Sequence, residues 1–210
     1  HTDPYFRGFD QSFPDYYLYK EWAREFDTKF ASDGLPQLSF VRLAHDHTGN
    51  YSSAILGVNT PELEVADNDY EVGLLVQKVS QSRYRDDTLV VVTEDDSQDG
   101  GDHVDSHRSI AFIVGPYVKQ GALVSTQYNT VNLVRTIEAV LNLSPINLND
   151  AVAKPMLDVF PTAQKKWQYF AEPSSYLYTT QLLPPQMAKN QKALHPTHDV
   201  RYWAEATKGL

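Results

Sequence analysis

Residues 93 to 108 read Thr93-Glu94-Asp95-Asp96-Ser97-Gln98-Asp99-Gly100-Gly101-Asp102-His103-Val104-Asp105-Ser106-His107-Arg108, six carboxylates and two imidazoles in one short stretch. So many like charges repel unless something positive sits among them. A divalent cation is the simplest such partner, because carboxylate oxygen and imidazole nitrogen ligate Mg, Mn, Ca, Fe or Zn. The stretch follows directly on the apolar run Leu89-Val90-Val91-Val92. At the end of a buried strand the cluster reads better as a site than as loop decoration. Asp95 and Asp96 point to opposite faces in a straight strand, yet both reach one centre if the chain turns there.

Other motifs were weighed against the same chemistry. Asp95, Ser97, Asp99 and Gly100 fit the first half of a calcium-binding loop, but its twelfth position is Ser106, where a bidentate Glu is required. His103 and His107 have the spacing of a helical zinc pair, but Gly100-Gly101 and the β-type run after them argue against a helix. Arg108 has two uses, a phosphate contact or a pair with Asp105. His45-Asp46-His47 is either a polar turn after a strand or a second ligand-bearing stretch. His195-Pro196-Thr197-His198-Asp199 lies in a non-periodic region and reads as surface. Asn50-Tyr51-Ser52 and Asn142-Leu143-Ser144 match glycosylation sequons, a pattern short enough to recur by chance.

These residues need elements to position them. Tyr19, Trp22, Ala23 and Phe26 at helical spacing predict a helix over 15–31, closed by Ser32-Asp33-Gly34. Residues 37–43 form a strand candidate leading into His45-Asp46-His47. Thr60-Pro61-Glu62 opens a long helix, with proline and an acid where the first turn favours them. Its stripe Val65, Val72, Leu75, Val76 and Val79 should face a core. Residues 88–93 and 110–114 are further strands, and helices are expected at 129–142 and 149–158. Strand, long helix and strand make a βαβ unit, so 37–43 and 88–93 should run parallel, with their carboxyl ends on one rim. In open α/β sheets ligands bind at that rim. The link 94–108 shows no helical pattern, so the third strand should return antiparallel. His45, Asp46, His47, Glu94, Asp95, Asp96, His103 and His107 then converge. Residues 1–160 read as domain and 161–210 as an extended tail packed on it.

Composition narrows the partners. With 210 residues and 41% hydrophobic content the chain can bury a real core. A net charge of −9 and pI near 5.1 argue against nucleic acid or an anionic membrane surface. There is no cysteine, which excludes disulfides and thiolate metal sites. No segment has the length of a membrane span. The start lacks a methionine and the end is abrupt, so the chain reads as a piece cut at both ends.

Leu35-Pro36, Asp46-His47-Thr48, Ala66-Asp67-Asn68-Asp69 and the two acidic motifs Glu94–Gly100 and Asp102–Arg108 occur in that order. In this the chain resembles the C-terminal half of bacterial phosphoesterases of the acid phosphatase and phospholipase C type, within the alkaline phosphatase superfamily. It looks closest to the branch in which such a domain often follows a β-propeller. The resemblance implies a three-layer α/β/α sandwich with a mostly parallel sheet, here a partial domain. It implies a metal-dependent hydrolase of small phosphate esters, in a periplasmic or secreted setting. Asp95 and Asp96 carry over as metal ligands, with Asp46 and Glu94 beside them on the rim. His47, His103 and His107 carry over as ligands or phosphate-contacting acids. The Ser/Thr nucleophile of the family falls in the preceding half, so this chain alone is expected to be inactive. The alternatives are a non-catalytic metal- or ligand-binding domain of the same fold, or a sulfatase or phosphotransferase of the same superfamily.

Overall fold

The computed structural model of the chain describes residues 2–95, 109–161 and 163–208. Helix α1 (Asp15–Asp33) buries Leu18, Trp22, Phe26 and Phe30, one residue per turn along a single stripe. Trp22 and Phe26 pack with ring centroids 4.9 Å apart. The helix stops at Gly34, whose φ of 90° lies where a side chain is disfavoured. Its last carbonyls are satisfied from outside: the Arg83 guanidinium donates to Ala31 O at 3.0 Å and to Phe30 O at 3.2 Å.

Helix α2 (Pro61–Ser80) starts where the Thr60-Pro61 signal predicts, with the Thr60 hydroxyl accepting from the Leu63 amide. It lies against α1 and buries two adjacent stripes. Leu63, Ala66, Tyr70, Val76 and Val79 form the apolar one; Glu64, Asp67 and Glu71 form an acidic one. Val65, expected in the core, is 49% exposed, because the docked face is centred on 63, 66 and 70 and leaves 65 outside.

Strands β1 (Val90–Thr93) and β2 (Ala111–Val114) pair antiparallel, Val90 opposite Val114 and Thr93 opposite Ala111. The return direction matches the expectation. Residues 37–43 do not form the expected strand: they pair with no strand among the described residues, and Phe40 is 87% exposed. A strand exists only through a neighbour's hydrogen bonds. The described fold is therefore mixed α/β with a two-stranded sheet, and the parallel pairing of 37–43 with β1 is not seen.

Helix α3 (Thr130–Val140) begins in a reciprocal cap between Asn129 and Asn132. Helix α4 (Leu148–Val152) is shorter than the expected 149–158, since Pro155 cannot continue a helix, and a 3-10 turn follows at Leu157–Val159. Beyond residue 160 lie a 3-10 turn at Ser175–Thr179 and helices α5 (Pro185–Asn190) and α6 (Val200–Ala206). This region is anchored: Leu177, Leu182 and Leu183 complete a core with Val58, Leu63, Ala66 and Tyr70. Full burial of Leu177 alone contributes about 2 kcal/mol. Among the described residues no helix is long and apolar enough to cross a membrane.

Candidate functional site

Asp46 follows the stretch 37–43, and Glu94 and Asp95 follow β1. Burial pushes the Asp46 carboxyl above its ordinary range, its hydrogen bonds to the main chain at 46 and 47 hold it back, and the charges of Asp15 and Asp95 add to the rise. The smallest of these contributions comes from Asp95, which lies far from Asp46 in sequence. Glu94 accepts from the Ser109 hydroxyl at 2.6 Å, tying the two ends of the acidic stretch together. Asp96, His103 and His107 lie outside the described residues, and so does their part in the expected convergence.

Next to Asp46 in the chain is His45, the centre of a buried knot. His45 is completely shielded from solvent. Its Nδ1 is 2.7 Å from Asp67 Oδ2 and its Nε2 is 3.0 Å from the Gln11 main-chain oxygen. Both partners only accept, so both ring nitrogens carry hydrogen and His45 is an imidazolium. Burial pulls its proton affinity down, but the bond to Asp67 and the charges of Asp15, Asp67 and Glu64 win, raising its pKa to about 9. Asp15 accepts from the amides of Ala44 at 2.8 Å and His45 at 3.0 Å, and from the Asn68 amide group at 3.0 Å. The Asp15 amide in turn donates to Asp67 at 2.7 Å. This knot clamps the 44–47 turn onto both α1 and α2.

Asp15, His45 and Asp67 each offer one ligand atom within 4.8 Å of the others, so the group has the spacing to hold a metal ion. Its hydrogen bonds describe a different state. An ion there would have to displace a ring proton of His45, while both Asp15 oxygens already accept amide hydrogens. The charge-paired arrangement needs no such rearrangement.

The acidic stripe of α2 is less well satisfied. Glu64 accepts from the Gly49 amide at 2.8 Å, yet burial pushes its carboxyl up to about 8. Among the described residues Glu71 has no hydrogen-bond partner on either oxygen. Burial, then the charges of Asp67 and Asp15, raise it to about 10. Both are neutral acids near pH 7, which relieves the charge of the cluster without a cation.

His47 stands exposed at the outer edge of the same turn. Gln11 Nε2 lies 2.8 Å from its Nδ1 and also contacts its main-chain oxygen. The Phe9 ring meets the imidazole edge-on, with centroids 5.7 Å apart. The Arg42 guanidinium lies over the Phe9 ring, 5.0 Å from its centroid. Among the described residues Arg42 pairs with no carboxylate.

Sequence reading missed Gln11, Asp15, Glu64 and Glu71. For the acids a faint signal existed, since 64, 67 and 71 fall on one helical face next to the apolar stripe. A family model described as the Phosphoesterase family matches residues 4–144, a span that includes Asp15, His45, Asp46, Asp67, Glu94 and Asp95. No curated protein and no solved structure matches the chain.

Proposed function

The chain belongs to the phosphoesterase family, and from that premise we propose that it forms part of a metal-dependent hydrolase of small phosphate esters. Asp46, Glu94 and Asp95, with Asp96, would hold a divalent cation of Mn, Fe, Zn, Ca or Mg type, all of which accept oxygen and imidazole donors. The cation would supply charge neutralisation at the phosphate oxygens, the dominant contribution in such reactions. His47 would donate a hydrogen bond to the phosphate, with His103 and His107 as further contacts. Arg42, mounted on Phe9 and free of carboxylates among the described residues, is placed to favour an anionic substrate over the acidic rim. None of the residues assigned above would supply the attacking Ser/Thr hydroxyl. The knot's role is to hold the 44–47 turn rigid, because a rim misplaced by about 1 Å can cost about 100-fold in rate.

The observation that carries this reading is the family match over residues 4–144, a span that includes Asp46, Glu94 and Asp95. Calorimetric titration with Mn, Zn, Ca and Mg tests it. One of them is expected to bind with unit stoichiometry. Asp95→Ala should weaken that binding by more than about 100-fold, beyond what an outer-sphere partner controls. The chain alone is expected not to turn over an aryl phosphate. Failure of all four cations to bind, or binding unchanged in Asp95→Ala, overturns the assignment.

A further inference from the structure

We infer that Gln11 is a positioning residue that fixes His47 as the tautomer with its proton on Nε2, so that the ring presents an N–H donor at the rim. The use of that donor toward a phosphate oxygen rests on the function proposed above; the tautomer itself does not.

The argument begins with which end of the Gln11 amide faces His47. Its Nε2 contacts the His47 main-chain oxygen, which can only accept, and its Oε1 receives the Asn50 side-chain amide at 3.3 Å. Both contacts place the NH2 toward His47. The same NH2 lies 2.8 Å from His47 Nδ1, and a donor there requires a lone pair on that nitrogen. The neutral ring therefore carries its hydrogen on Nε2. Metal-bound histidines show the opposite pattern: their second nitrogen donates to a carboxylate, carbonyl or water. His47 is consequently arranged to donate, not to ligate through Nε2.

The amide of Gln11 is held as well as oriented. A Cβ at position 49 would come 2.8 Å from Gln11 Nε2 and 3.0 Å from Oε1, so Gly49 makes the slot in which the amide lies. The main chain of Gln11 is fixed too, since its carbonyl accepts from the buried His45. Gln11 thus joins the two histidines, one by its backbone and one by its side chain. Phe9, two residues earlier, walls the His47 ring on another side.

Long-range proton–nitrogen spectra of histidine-labelled chain at about pH 7.5, with His47→Gln to assign the ring, test this without metal or substrate. The wild-type chain should show His47 Nδ1 as an unprotonated nitrogen and Nε2 as a protonated one. Gln11→Glu replaces the donor by a carboxylate and should place a proton on Nδ1. Gln11→Ala and Gly49→Ala should both give a tautomer mixture, with His45 resonances unchanged as proof that the fold is intact. A protonated Nδ1 in the wild type, or identical His47 spectra in wild type, Gln11→Ala and Gly49→Ala, overturns the inference. Because the spectra need no turnover, a failure of the enzymatic reading leaves them fully interpretable.

Discussion

His45→Ala is expected to destabilise the folded chain by about 3–5 kcal/mol, the usual cost of removing one partner from a buried ion pair. The imidazolium is fully buried and donates from both nitrogens, to Asp67 and to the Gln11 carbonyl. Without it Asp15 and Asp67 face each other with no cation between them, and Asp67 Oδ1 already lacks a partner. Denaturant unfolding near neutral pH measures the loss directly. The deficit should shrink in acid, where the stranded carboxylates can take protons instead. In a double-mutant cycle, His45→Ala combined with Asp67→Asn should cost less than the sum of the single changes, since the second removes the charge that the first exposes. A loss below about 1 kcal/mol would mean that His45 is not the cationic centre of the knot.

How much of this was legible in the sequence depends on whether a feature is local. Helices α1 and α2 announced themselves through a stripe and the Thr60-Pro61 cap, and α3 falls within the expected 129–142, because periodicity and capping act within a few residues. β1 and the antiparallel return of β2 followed from an apolar run and a link too glycine-rich for a helix. Residues 37–43 have strand composition, but pairing depends on what lies alongside, which composition does not encode. Asp46, Glu94 and Asp95 enter the proposed site because they are acids that directly follow apolar stretches, a feature visible in the sequence. Glu64 and Glu71 were signalled only faintly, by sharing a helical face with Asp67, since the docking of α1 decides which acids of α2 are buried. Gln11 carried no local signal. Its role depends on His47, on Asn50, and on the missing side chain of Gly49.

Glu71→Gln is expected to act in the opposite direction from His45→Ala, stabilising the chain by roughly 2–4 kcal/mol near pH 8 while changing little near pH 5. The Glu71 carboxyl is fully buried, without hydrogen-bond partners among the described residues, and held up to about 10 against a reference of 4.5. A raised folded-state pKa means that the folded chain keeps a proton the unfolded chain releases. The stability it confers is complete below 4.5 and is lost progressively as pH rises toward 10. Glu64, raised to about 8, and His45, raised to about 9, push the same way, so the wild-type chain should be most stable in mild acid and weaken steadily as pH rises. Each such group contributes up to about 1.4 kcal/mol per pH unit inside its window. A glutamine has no proton to lose in this range, so Glu71→Gln removes one of these slopes. Its amide inherits the unsatisfied surroundings, a penalty of about 1–3 kcal/mol that caps the gain at high pH and cancels any gain at low pH. Glu64→Gln should gain less, because the Glu64 carboxyl already accepts from the Gly49 amide and is raised only to about 8. Unfolding free energies measured from pH 5 to 9 decide the matter: a Glu71→Gln curve parallel to the wild-type curve would show that the acid is ionised and compensated in the folded chain.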